Sequence, residues 1–292
     1  MYELIQVTDR AYYIDCPSKV GIVNISDDRV VLIDSGNDRD MGKRVKRILD
    51  ANGWTLDAIY NTHSHADHIG GNKYLSDATG AKIYAHPFEA ASVTHPILEP
   101  SLLFGGMPHG DLRTRFFLAE PSPALPLTPD ALPDCLTAVS LSGHTPGMTG
   151  FVTDDGAAFI ADSLSSDATL KKYTVLYVYD VAGYIHTLET LPELGATVYI
   201  PSHADATADI APLAERNLRV TRELSDVILG YLSEPITAEG LLECIFRHYG
   251  IRMSAAQHAL IGSTVRSYLS YHVDAGRAEP IPDGERLLWQ RK

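Results

Sequence analysis

The chain has 292 residues with 45% hydrophobic and 21% charged side chains, a composition that argues against disorder and suffices for a large buried core. Lys+Arg 24 against Asp+Glu 37 leaves a net charge of −13, which repels a phosphate backbone unless basic residues gather on one face, so nucleic acid is disfavoured as a partner. Cys16, Cys135 and Cys244 are odd in number and form no CxxC pair, which argues against a disulfide framework or a cysteine zinc site and for a reducing compartment. No basic-then-apolar leader is visible, and no apolar run approaches the ~18 residues that span a bilayer, so a cytoplasmic location without membrane attachment is expected.

In chain order, YELIQVTDRAYYI and GIVNISDDRVVLIDSG read as two hairpins turning at Thr8-Asp9-Arg10 and at Asp27-Asp28. Met41, Val45, Ile48 and Leu49 then fall at helical spacing between Asp38 and a stop at Asn52-Gly53. The strand LDAIYNTH follows, then a histidine-rich turn, a short helix over Gly71 to Ala78 closed by Gly80, and the strand AKIYAH. Residues 87–134 hold nine of the seventeen prolines and show no periodicity, so they are expected to form an irregular insertion that covers an active site or a subunit contact. Regular structure resumes with TAVSLSG, the hairpin MTGFVTDDGAAFIAD, a helix from Val181 to Leu191 and the strand TVYIPSH. Beyond Pro212, three amphipathic stripes are visible, the third formed by Leu260, Ile261, Val265, Tyr268 and Leu269 and opened by a Ser254/Gln257 capping box. EPIPDGERLLW closes the chain as a hairpin. The expected organisation is a catalytic unit over 1–212, with 87–134 inserted, and a helical, winged-helix-like unit over 213–292.

The chemistry concentrates at His63-Ser64-His65-Ala66-Asp67-His68-Ile69-Gly70-Gly71. In an extended segment His63, His65 and Asp67 project to one side, and His68 turns in at a helix entrance. Neutral imidazole and carboxylate are what zinc, iron or manganese accept, and such a density of them is hard to explain as packing. The adjacent glycines are expected to let the backbone approach that site closely.

NTHSHADHIGG closely resembles the THxHxDHxGG signature of the metallo-β-lactamase superfamily, and the resemblance extends over roughly residues 1–210. It implies a four-layer αββα sandwich of the α/β (α+β) class and maps the remaining positions of the pattern onto His144 in SGHTPG, Asp162 in FIADS and His203 in YIPSH. It implies two divalent metal ions, zinc first, iron or manganese next: one held by His63, His65 and His144, the other by Asp67, His68 and His203, with Asp162 bridging. Asp34 matches a further position without ligand status, which suggests a supporting role. Zinc β-lactamases usually carry cysteine or a non-ligand where Asp162 stands, and the flavin-linked diiron branch carries glutamate where His65 stands. Glyoxalase-II-like thioesterases, lactonases, persulfide dioxygenases and ribonucleases share the full set.

AERNLRVTRELSDVILGYL with the two following helices resembles the winged-helix-like tail of a glyoxalase-II-like subgroup, though the usual His-Arg pair near its start is replaced by Asn217, with Arg216 before it. Residues 216–292 carry ten basic and nine acidic side chains, and the third helix offers Arg266 and little else, so the tail reads as a structural or homodimer-contact module. Tyr173, Tyr177, Tyr179 and Tyr184 follow Asp162, and one phenol could face a developing oxyanion. His86, His95, His109, His186, His248, His258 and His272 fall outside the pattern and read as non-ligands, and Cys16 as a small buried residue.

The resemblance implies a dinuclear hydrolase in which a metal-bridging hydroxide attacks an ester-type bond of a small molecule, thioester first and lactone second, with Asp67 or Asp162 orienting the nucleophile and accepting its proton. The alternatives are a metal-dependent endoribonuclease or phosphodiesterase and a mononuclear iron dioxygenase of the persulfide type.

Overall fold

A computed structural model describes residues 2–292. The two N-terminal hairpins form as expected: β1 (Leu4–Gln6), β2 (Ala11–Ile14), β3 (Val20–Asn24) and β4 (Arg29–Ile33) pair antiparallel in sequence order. Helix α1 (Arg39–Ala51) starts where Asp38 accepts a hydrogen bond from Met41 N, and it buries Met41, Val45 and Leu49. It returns the chain to β5 (Thr55–Tyr60), which runs parallel to β4. Short α2 (Ala66–Ile69) and α3 (Asn72–Thr79), the latter ended by left-handed Gly80, lead into β6 (Lys82–Ala85), parallel to β5.

The Pro-rich segment is more regular than its sequence suggests. It contains α4 (Pro87–Thr94), α5 (Leu98–Phe104), two 3₁₀ turns and β7 (Ala124–Pro126), which adds the seventh strand to the first sheet beside β6. Proline at the first turn of α4 breaks no helical hydrogen bond, which is why proline density concealed a helix there.

The second sheet is the meander β8 (Leu136–Ser140), β9 (Thr149–Thr153) and β10 (Ala157–Ala161), extended by β11 (Val198–Pro201) parallel to β10. Helices α6 (Asp167–Lys172) and α7 (Val181–Thr190) connect these last two strands. Val23, Val31 and Ala58 of the first sheet pack on Phe151, Phe159 and Ile200 of the second. The first sheet's other face meets Val45 and Leu49 of α1 and Leu75 of α3, and the second's outer face meets α7 and α8 (Ala211–Tyr231). The result is the four-layer αββα sandwich.

Helix α9 (Ala238–Tyr249), α10 (Ala255–Asp274) and the strands β12 (Ile236–Thr237), β13 (Ala278–Asp283) and β14 (Arg286–Arg291) complete three helices and a three-stranded sheet, a winged-helix-like arrangement. Ser254 caps α10 by accepting from Gln257 N. A single apolar cluster continues from Ala158 and Ile160 through Leu188 and Ile228 to Leu242 and Tyr268. Leu260 departs from the expected stripe and turns toward Leu103 and Phe117 of the insertion. No helix among the described residues is long and apolar enough to cross a membrane.

Candidate metal centre

The carboxyl ends of strands from both sheets converge on one point. The chain leaving β5 brings His63 and His65, α2 brings Asp67 and His68, the β8–β9 loop brings His144, and the residues following β10 and β11 bring Asp162 and His203. All seven expected side chains meet there: possible donor atoms lie within 4.8 Å of one another in the groups His63/His65/His144, His63/His68/Asp162 and Asp67/His68/His203. Asp67 is not extended alongside His63 and His65 as its spacing suggests. The helix begins at Ala66, so Asp67 rotates toward His203, with its Oδ2 3.3 Å from His203 Nε2. None of the seven other histidines joins such a group among the described residues.

Each of the five imidazoles has its outer nitrogen committed to an acceptor. Thr62 Oγ1 donates to Asp34 Oδ2 at 2.7 Å, so it accepts from His63 Nδ1 at 3.0 Å. His65 Nε2 faces Glu99 Oε1 at 3.1 Å, His68 Nδ1 faces Asp34 Oδ2 at 2.9 Å, His144 Nδ1 donates to the Tyr177 carbonyl at 3.2 Å and His203 Nδ1 to the Pro17 carbonyl at 2.7 Å. A neutral imidazole has one N–H and one lone pair, so these commitments turn five lone pairs inward. His65 Nδ1 then sits 3.1 Å from both His63 Nε2 and His144 Nε2, three acceptors with no proton between them. Buried His68 Nε2 and Asp162 Oδ1 likewise have no hydrogen-bond partner. Lone pairs and carboxylates crowded this way repel one another until cations lie between them, and the donor set fits divalent zinc, iron or manganese.

Without cations, protons take over part of that role. Asp162 pushes His203 up to about 10, and His68, despite a burial that opposes its charge, is held well above the usual histidine range by Asp162, Asp67 and Asp34. Burial and the neighbouring His65 push His144 down to about 4. Because His203 titrates higher folded than its unfolded value of ~6.5, its proton contributes stability that is full below that pH and lost as pH rises toward 10. The metal-free protein is therefore expected to melt at a lower temperature at pH 9.5 than at pH 6.5. Zinc taken up at pH 7.5 in weak buffer is expected to release protons, a release readable by pH electrode, because it competes for the same nitrogens.

Several supporting residues escape the sequence pattern. Glu89 on α4 is buried and its carboxylate accepts four hydrogen bonds: from Ser64 N at 2.9 Å, Ser64 Oγ at 2.7 Å, Thr145 Oγ1 at 2.7 Å and Gly147 N at 2.9 Å. It ties the loop carrying His63 and His65 to the loop carrying His144. Glu99 is buried on α5, and although burial opposes its charge, His65 holds its carboxyl below the usual range. Glu89 has only a faint sequence signal, its place two residues after Pro87 in the composition of a helix start, and Glu99 has none.

Asn217 fills the place of the missing His-Arg pair differently. Buried on α8, it accepts from Ser165 N at 2.9 Å and donates to the carbonyls of Ser165 at 2.8 Å and Leu213 at 2.9 Å, pinning the chain just past Asp162. Asn217→Ala is expected to lower stability by about 1–3 kcal/mol, since the half-buried Ser165 N–H and carbonyl both lose their partner; thermal melting checks it. Asp34 supports both His68 and Thr62, as expected of it, and adopts a left-handed φ of 63°. Gly70 and Gly71 serve a different neighbour from the one expected: a Cβ on Gly70 would lie 2.3 Å from Asn37 C and one on Gly71 2.4 Å from Ser35 O, so they seat α2 and α3 on the loop after β4. Of the tyrosines, only the Tyr177 ring lies at the cluster, 5.6 Å from the rings of both His65 and His144, whereas Tyr184 is core and Tyr173 and Tyr179 are exposed. Cys16 is buried, and its thiol, pushed up to about 11 chiefly by burial, donates to the Ser18 carbonyl.

The model of the metallo-beta-lactamase superfamily matches residues 13–203. A hydroxyacylglutathione hydrolase of Erythrobacter litoralis is 33% identical over 124 residues, 42% of this chain and 40% of the relative, so the match spans less than half that enzyme's length. Among solved structures, a metallo-beta-lactamase family protein of Thermus thermophilus superposes with a TM-score of 0.69 at 19% identity, covering 99% of this chain and 98% of its own. A beta-lactamase domain protein of Burkholderia ambifaria gives 0.71 at 15% identity, with 99% and 94% covered. At these identities the structural likeness is one of fold, and it includes the C-terminal helices. With the superfamily model covering most of the chain and a His/Asp cluster able to hold metal at the strand ends, the chain belongs to the metallo-beta-lactamase superfamily.

Proposed function

We propose that this protein is a dinuclear, metal-dependent hydrolase that cleaves an ester-type bond of a small molecule, a thioester first and a lactone second, with residues 1–212 as the catalytic unit and 213–292 as its helical appendage. The observation that carries the reading is the set of five imidazoles whose outer nitrogens are all committed, which turns their other nitrogens inward toward one another and toward Asp67 and Asp162. In this reading His63, His65 and His144 hold one cation, Asp67, His68 and His203 the other, and Asp162 spans both. Bound there, two divalent ions supply Lewis acidity and a hydroxide-strength nucleophile near neutral pH.

The chain's own groups then divide the remaining work. Asp162 lies 3.3 Å from both His68 and His203 and 3.6 Å from His144, so its charge is fixed between the two halves. Asp67 is the more exposed carboxylate, and Ser18 Oγ donates to its Oδ2 at 2.6 Å, which leaves its other oxygen free to accept the proton of the attacking water and pass it to solvent. The thioester preference is supported by the likeness to hydroxyacylglutathione hydrolase over 42% of the chain. A lactone follows because it makes the same demand on carbonyl polarisation and leaving-group charge.

A phosphodiester substrate gains no support from the tail: Arg266, the arginine of α10, is paired with Glu239 at 2.8 Å. Elemental analysis of the purified protein, run with thioester, lactone, phosphodiester and β-lactam substrates and His65→Ala as control, tests the reading. Two divalent ions per chain with thioester or lactone turnover lost in the variant supports it. One iron per chain with thiol-dependent oxygen uptake and no hydrolysis overturns it.

A further inference from the structure

We infer that α10 of the C-terminal helical unit is a positioning element for one half of the metal cluster, fixing the outer partners of His65 and His144; this rests on the two-metal reading above. The helix has two unlike faces. Ile261, Val265, Tyr268, Leu269 and His272 recur at helical spacing and pack into the tail's core. The opposite face presents Ala256, Ala259, Leu260, Ser263, Thr264 and Ser267, mostly small or hydroxyl-bearing residues that let another segment lie close.

Two separate lines of contact run from that face to the cluster. Thr264 Oγ1 accepts from Val178 N at 3.3 Å and shares its proton between the Leu176 carbonyl at 3.3 Å and the Leu260 carbonyl of its own helix at 3.2 Å, and Ser267 Oγ donates to the Tyr179 carbonyl at 2.7 Å. These bonds clamp the backbone on either side of Tyr177, whose own carbonyl takes the N–H of His144. Ala259 packs with Leu103, Leu112 and Phe117. Leu103 sits on α5, one turn past Glu99, which takes the N–H of His65. So two of the three imidazoles of the His63/His65/His144 group are oriented by segments that α10 holds. The other half owes it nothing: Asp34 holds His68, Pro17 holds His203 and Ser18 holds Asp67, all from the first sheet and its loops.

This asymmetry makes the test selective, because loss of the outer partner of a ligating histidine typically weakens metal binding 10–100-fold. Thr264→Val keeps the volume and removes the hydroxyl. Titrating the full-length, metal-stripped protein with Zn²⁺ against a chromophoric chelator, the wild type is expected to bind two equivalents, and Thr264→Val to bind one unchanged and the other about 10-fold more weakly. Tyr268→Phe, which removes a buried hydrogen bond from the same helix to the Thr221 carbonyl, is expected to lower the melting temperature and leave both affinities unchanged. If Thr264→Val does not fold, Ser267→Ala, at a more exposed position, carries the test with a smaller selective loss. Equal weakening of both equivalents, or none, overturns the inference. A wild type that binds fewer than two equivalents overturns instead the two-metal reading on which it rests.

Discussion

Glu89→Ala is expected to be among the most damaging substitutions outside the ligand set, lowering stability by about 3–5 kcal/mol and the melting temperature by roughly 10 °C. Four donors converge on that carboxylate, and no other acceptor among their hydrogen bonds replaces it. Truncation leaves two backbone N–H groups and two hydroxyls to be met by whatever water enters. Glu89→Gln should recover only part of the loss, since its amide nitrogen turns a donor toward donors. The effect reaches beyond stability because Ser64 lies between His63 and His65 and Thr145 follows His144. Zinc affinity should fall along with the melting temperature. A change below about 1 kcal/mol in chemical denaturation would show that Glu89 is not the tie it is taken to be.

Asp162→Asn is expected to reduce turnover at least ~10³-fold while the fold persists, because it removes several kcal/mol of charge stabilisation from the point between the two halves and each ~1.4 kcal/mol is a factor of ten. The substitution keeps the shape of the side chain. It also changes the metal-free protein, since Asp162 is the largest cause of the raised His203. In Asp162→Asn the titration of His203, followed by NMR in the metal-free state, should move down from about 10 toward the ordinary histidine range. Unaltered turnover would remove Asp162 from the site, and an unaltered His203 titration would show that the charge holding its proton comes from Asp67 alone.

The parts of this molecule that were legible in its sequence are those whose determinants are close together in the chain. Turn residues at Asp9 and Asp28, the Asp38 cap and the 3.6-residue period of α1 each specify a local element, and the structure follows them. The run from His63 to His68 stood out because metal ligands need particular atoms whatever surrounds them. Asp67 was misplaced in detail because the helix that turns it begins after His65, which forms no side-chain cap and so leaves no starting signal. Glu89 and Glu99 were invisible for another reason: their partners lie up to 58 residues away, and a buried acidic residue looks like an exposed one in a segment without periodicity. Leu260 shows the limit of stripe reading, since a helix packed on both sides has apolar residues on both faces.

The most direct test of the account is the rate of thioester hydrolysis by metal-stripped protein as Zn²⁺ is added back. Turnover is expected to be absent from the stripped protein and to rise to its plateau at two equivalents per chain. Full activity in the stripped protein, or a plateau reached at one equivalent, would contradict it.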